Sequence, residues 1–147
     1  MASVIAVCRS EQKGTKKVDI KKGTLKEGFG LEGDAHADSG WHRQVSLLAV
    51  ESIQKMRELG YDVKPGDFAE NITCQGLELP FLPIGTRLNV GKDAVLEISQ
   101  IGKECHSGCD IFKQTGKCIM PKEGVFARVI KSGEITAGDD IQIQSKK

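Results

Sequence analysis

The chain predicts a mainly β fold: a closed or partly open β-barrel with one clear helix and short helical or loop insertions. Three observations carry this reading. Short apolar runs are separated by turn residues at intervals of about eight to twelve positions, the spacing of strands in barrels and closed sandwiches. A single segment, beginning at Ala49, repeats its apolar residues at the helical period. No internal repeat, low-complexity tract or linker interrupts the 147 residues, so one domain over 1–147, long enough to bury a core, is expected.

The elements follow in chain order. Val4, Ala6 and Cys8 alternate with Ser3, Ile5 and Val7, as in an opening strand buried on both faces. Glu11 to Glu27 sets Lys13, Lys16, Lys17, Lys21, Lys22 and Lys26 against three acids, a solvated edge whose lysines discourage edge pairing. Gly28 to Asp38 is rich in glycine and acids and reads as a loop. Gln44 to Leu48 reads as a strand. Ile53, Met56 and Leu59 then fall on one helical face, and Gly60 supplies a C′ stop for a helix of about ten residues.

Beyond Pro65-Gly66-Asp67, three runs read as strands: Asn71 to Cys74, Arg87 to Val90 and Val95 to Ile101. Lys92-Asp93 turns the last two into a hairpin. Val125 to Ile130 and Ile135, bracketing Lys131 to Glu134, predict a second hairpin. Ile141 and Ile143 alternate in a closing strand.

Composition removes several function classes. A formal charge of +1 provides no whole-molecule field to attract nucleic acid. Met1 to Ile5 lacks a basic head followed by a long apolar run, so no signal peptide is expected. No window approaches the roughly eighteen apolar residues of a membrane span, so no membrane partner is expected. The five cysteines are an odd number, which argues against a complete disulfide framework and for a cytoplasmic protein with reduced thiols.

Chemistry concentrates in Ile101 to Met120, which holds three of the five cysteines and one of the three histidines. A cysteine acts as nucleophile or ligand only as thiolate, so it needs a positive neighbour or a metal to lower a pKa of about 8.5. Cys105 has Lys103 and His106 beside it and follows directly on a predicted strand, where a reactive group is both fixed and exposed. Cys8 and Cys74, within strands, read as apolar filler. A structural zinc held by Cys105, His106, Cys109 and Cys118 is the less favoured alternative, because C-H-x-x-C-x8-C is not a paired-knuckle spacing.

The polar loops signal more weakly. Asp34, His36, Asp38 and His42 are too sparse in carboxylates for a hard-metal site. Gly28 to Gly33 fits neither phosphate-loop spacing. Glu70 and Asn71 place a carboxylate and a carboxamide just before a strand. Such an amide can read a ring edge or bond its own backbone.

Together the motifs G-L-E-G-D (Gly30–Asp34), G-D-F-A-E-N-I-T (Gly66–Thr73), L-P-I-G-T-R-L (Leu82–Leu88) and Q-I-G-K-E-C-H (Gln100–His106) resemble a stand-alone MOSC domain, named for the C-terminal domain of molybdenum cofactor sulfurase. The resemblance runs from about residue 3 to 145, and the ordered combination is far more specific than any single motif. It implies a barrel-like fold and binding of the molybdenum–pterin cofactor (Mo-molybdopterin), with Cys105 binding the metal or carrying sulfur. F-A-E-N resembles the F-G-E-N of relatives that reduce N-hydroxylated bases. Here, however, Trp41-His42-Arg43-Gln44 replaces the family's histidine-glycine-glycine stretch, and Glu104 and His106 flank the cysteine in place of proline and an aromatic residue.

On this reading Arg43, Asn71, Lys103 and Arg128 are candidates to hold phosphate and pterin, with Asp34, His36 and Glu70 as further cofactor-facing groups. His106 is the proton-transfer candidate beside Cys105, and Glu32 or Glu70 could assist it. The expected activity is molybdenum-dependent reduction of an N–O bond. No flavin or nicotinamide motif appears in these residues, so a separate electron donor is implied. The alternative is a non-enzymatic carrier that passes cofactor or sulfur to an acceptor protein.

Overall fold

The computed structural model describes residues 2–10, 17–34, 37, 40, 44–68, 70–101 and 124–144. Alternation of side chains across a pleated wall organises most of it. In β5 (Val45–Ala49), Val45, Leu47 and Ala49 enter the main apolar core, while Leu48 packs in a second cluster. In β9 (Val125–Lys131), Val125, Ala127 and Val129 face the core and Phe126 joins that second cluster. Two faces of one wall thus serve two apolar clusters, as a period of two requires.

The wall closes on itself. β1 (Ala2–Arg9) pairs with β6 (Ile72–Gln75), which pairs with β5, and β5 with β9. The ring continues through β8 (Ala94–Ile101), β7 (Arg87–Val90) and β11 (Asp140–Ile143). β11 returns to β1 through Ala2↔Ile141 and Ser3↔Asp140, giving a closed seven-stranded barrel. Closure removes the unpaired edges that an open sheet exposes. β2 (Val18–Asp19) adds to the far end of β1. Among the described strands only β5 and β6 pair in parallel, which requires a crossover connection. Helix α1 (Val50–Glu58) and the segment that follows it supply that connection. Ile53 and Met56 on α1 pack with Leu48, Val63, Phe68 and Phe126 outside the barrel wall.

A second sheet orders β10 (Gly133–Thr136), β3 (Lys22–Lys26) and β4 (Gly30–Leu31). Leu25, Leu31 and Ile135 from this sheet join the barrel's own core cluster. Leu79, in a 3₁₀ turn at Leu79–Phe81, also enters that core. No described helix is long and apolar enough to cross a membrane.

Several expectations hold and several need correction. The strand at Arg87–Val90 and its hairpin partner form as expected, with Gly91 at positive φ in the turn. Gly60 ends α1 at φ +100, and its N–H donates to the carbonyl of Arg57. Leu59, however, is 63% exposed: it lies at the C-cap, where the chain has already left the helical face that Ile53 and Met56 bury. The expected hairpin across Lys131–Glu134 does not form. β9 and β10 are separated by Ser132 alone, and β10 pairs with β3 instead. The Gly28–Asp38 loop contains β4, both residues of which are buried. Ile143 is half-exposed although Ile141 is buried, because the alternation meets the strand's end.

One close approach fixes where the crossover returns. Gly66 has φ +92, its carbonyl accepts from Lys17 N at 2.8 Å, and a Cβ there would strike the Lys17 carbonyl and sit 3.3 Å from Cys8 Sγ. At Gly60 a Cβ meets nothing within 4 Å. Gly60→Ala therefore pays only the left-handed backbone strain, about 1 kcal/mol. Gly66→Ala adds a steric collision with backbone and should lose at least twice as much stability in chemical denaturation.

Candidate functional site

Asn71 immediately precedes β6, between β1 and β5, and its side chain bonds to both neighbours. Oδ1 accepts from Ser46 N at 3.0 Å and from Ser46 Oγ at 3.2 Å, and Nδ2 donates to the Cys8 carbonyl at 3.1 Å. The Asn71 backbone N–H donates to the Ser46 carbonyl and hydroxyl, and its own carbonyl accepts from Cys8 N at 2.6 Å. All of this is buried. The residue expected as a ring-edge reader is thus placed as a pin across three strands.

Next to it lies a cluster of buried charge on the outer wall. Ile72 and Cys74 enter the barrel core, so the intervening Thr73 points to the opposite face. There Thr73 Oγ1 donates to Glu70 Oε2 at 2.6 Å, and Gly66 N donates to the same oxygen at 3.0 Å. Glu70 Oε1 is buried with no hydrogen-bond partner among the described residues. Burial pushes the Glu70 carboxyl above its ordinary pKa, against the opposing pull of the Gly66 and Thr73 donors.

Asp34 closes the other side of the cluster. Its Oδ1 accepts from Lys17 Nζ at 2.6 Å and from Ser10 N at 3.1 Å, and the Lys17 and Asp34 side chains are fully buried. Burial draws the Lys17 ammonium's pKa down, and the hydrogen bond to Asp34 draws it partly back. Lys17 corrects the reading of Glu11–Glu27 as a uniformly solvated edge: this lysine is inside. No pattern in the sequence distinguishes it from its neighbouring lysines, because its partner lies 17 positions away. Gln44 is a second buried polar group that sequence reasoning missed, its Oε1 accepting from Val129 N at 3.0 Å.

The remaining expected site residues separate from this cluster or fall beyond what is described. Arg128 is exposed, paired in register with Glu97 on β8, and lies between core-facing Ala127 and Val129. Its side chain is therefore on the barrel's outside. Glu32 is exposed, and its carbonyl accepts from Arg9 Nη1. His36, Arg43, Lys103, Cys105, His106, Cys109 and Cys118 lie outside the described residues. The connection that carries Cys105 leaves from Ile101 and returns at Val125, and these two residues pair across β8 and β9.

The described thiols are chemically quiet. Cys8 and Cys74 are fully buried and free. Burial pushes the Cys8 thiol far above its usual range, and burial pushes Cys74 up to about 12. Neither offers a thiolate near neutral pH. Native protein treated with iodoacetamide at pH 8 should leave both unmodified on peptide mapping, whereas the denatured chain should be alkylated at both. Asn71→Ala strands Ser46 N and the Cys8 carbonyl and should cost about 3 kcal/mol of unfolding free energy, read by denaturant titration.

The MOSC domain family model matches residues 34–142. Comparison with curated protein sequences gave no match. Among solved structures, the YuaD protein from Bacillus subtilis superposes with a TM-score of 0.79 at 17% identity, over 100% of this chain and 98% of that one. YiiM from Geobacillus stearothermophilus gives 0.73 at 16% identity, over 99% of this chain and 76% of that one. YiiM from Escherichia coli gives 0.67 at 21% identity, over 99% and 69%. At these identities the structures share the fold. The family match covers most of the chain and includes both the Asp34 turn and the Glu70–Asn71 junction, and the chain belongs to the MOSC domain family.

Proposed function

We propose that this protein binds the molybdenum–pterin cofactor with the Cys105 thiolate as ligand to the metal or as carrier of its sulfur. Membership of the MOSC family, which is associated with molybdenum cofactor binding, is the observation that carries this reading. The donor set fits: a thiolate suits a soft metal, and the buried thiols of Cys8 and Cys74 leave that role to the Cys105 segment. His36, Arg43 and Lys103 are proposed to hold the cofactor's phosphate and pterin. The exposed Arg128 is a candidate for an anionic group that reaches the outer wall. Asp34, Glu70 and Asn71 contribute by holding the wall in shape, since their described polar contacts are made within the protein.

The proposed reaction is reduction of an N-hydroxylated base or amidoxime. Breaking the N–O bond consumes two electrons and two protons and releases water. When bound, the cofactor would supply the electron path from an external donor, and His106 would supply a proton to the departing oxygen, a role that the ordinary pKa of imidazole suits.

Protein purified from a cofactor-producing host should carry molybdenum by elemental analysis, Cys105→Ser should lose it, and Cys8→Ser should retain it. Stoichiometric zinc without molybdenum would overturn the proposal in favour of a Cys/His zinc module. Loaded protein given a chemical reductant should convert hydroxylaminopurine or benzamidoxime, and Cys105→Ser should not. Absence of turnover, with transfer of cofactor or labelled sulfur to an acceptor apo-enzyme, would assign the protein a carrier role.

A further inference from the structure

The cluster on the outer wall contains more ionisable groups than a neutral interior accommodates as charges. Lys17, Asp34 and Glu70 are all buried, as are Cys8 on β1 and Asp67 on the crossover segment. Cys74 on β6 and the exposed Asp19 on β2 also act electrostatically on members of this group. Lys17 and Asp34 face one another at 2.6 Å. Glu70 is arranged differently. Gly66 N and Thr73 Oγ1 bond to its Oε2, the backbone N–H groups of Phe68 and Glu70 itself also favour its charged form, and Oε1 is buried without a hydrogen bond among the described residues.

A carboxylate spreads its charge over both oxygens, so a buried Oε1 would carry about half a charge without a hydrogen bond of its own, and the cost of burial outweighs the pull of the nearby N–H groups. A neutral acid is compatible with the same geometry. In that state the bond to Thr73 reverses: Oε2 carries the proton and donates it to Thr73 Oγ1, whose own hydrogen rotates away, Oε2 still accepts from Gly66 N, and Oε1 is an uncharged carbonyl oxygen.

We propose that Glu70 is a neutral carboxylic acid in the folded protein, and that the Lys17–Asp34 pair keeps it so by engaging the ammonium that would otherwise ionise it. The three residues then act as one protonation unit. Any event that draws Asp34 away from Lys17 turns the ammonium towards Glu70 and releases one proton to solvent. Asp34 ends the Gly30–Asp34 motif, so movement or ligand binding at this turn would be linked to proton release. The inference does not depend on cofactor binding.

Infrared difference spectra of the intact protein provide the test. At pH 7 the wild type should show the carbonyl stretch of a protonated carboxylic acid, and Glu70→Gln should remove it. Asp34→Asn should remove the same band by ionising Glu70. The proposal fails if no such band is lost in Glu70→Gln, or if the band persists in a folded Asp34→Asn protein. A second measurement needs only the wild type and the isosteric Glu70→Gln. A carboxyl with a raised folded-state pKa binds more protons folded than unfolded, so it makes stability fall as pH rises above the unfolded value of about 4.3. Over that window Glu70→Gln should remove up to one proton's worth of slope. Identical slopes in the two proteins would overturn the proposal.

Discussion

Asn71 holds together the place where the barrel's regular hydrogen bonding breaks down. β5 and β6 run in parallel and begin pairing at Leu47↔Ile72, and β1 crosses β6 antiparallel from the other side. Just before β6, the chain must match two neighbours of opposite direction, and backbone bonds alone run from Asn71 N to the Ser46 carbonyl and from Cys8 N to the Asn71 carbonyl. The Asn71 carboxamide adds an acceptor for Ser46 N and a donor for the Cys8 carbonyl, bonding both neighbours with one side chain. An aspartate would lack the donor and an aliphatic residue would lack both. The crossover through α1 and the outer-wall cluster lie beside this junction.

The charged cluster next to this junction is a different kind of device. A buried ion pair gives little net stability, because desolvation of both ions offsets their attraction. The Lys17–Asp34 pair does provide direction. It ties the segment before β2 to the turn after β4, while the Lys17 N–H to Gly66 carbonyl bond ties the same residue to the crossover. Three segments far apart in sequence meet on one lysine. Glu70 completes the arrangement through Thr73 and Gly66, and its neutral state follows from the lack of donors for its second oxygen.

A closed barrel with inert internal thiols is consistent with the proposal that the chemistry belongs to the Cys105 segment. Cys8 and Cys74 are kept from reacting by burial. Ile101 and Val125, which flank the Cys105 segment in the sequence, pair with each other across β8 and β9.

Local signals were legible where local physics decides. The strand at Arg87–Val90, the turn at Gly91 and the helix stop at Gly60 depend on residues within a few positions of one another, and the sequence by itself determined them. The same holds for the mainly β fold, since alternation and turn spacing are properties of short windows. The place of Asp34, Glu70 and Asn71 as residues of interest was legible through motif resemblance, but their contacts were not. Asn71 meets Ser46 across 25 positions and Cys8 across 63, and Lys17 is distinguished from the neighbouring lysines by an aspartate 17 positions later. Only the tertiary structure decided these. It also decided that β10 joins β3 rather than β9, because strand pairing depends on which surfaces the closed barrel leaves free, and no window of sequence contains that information.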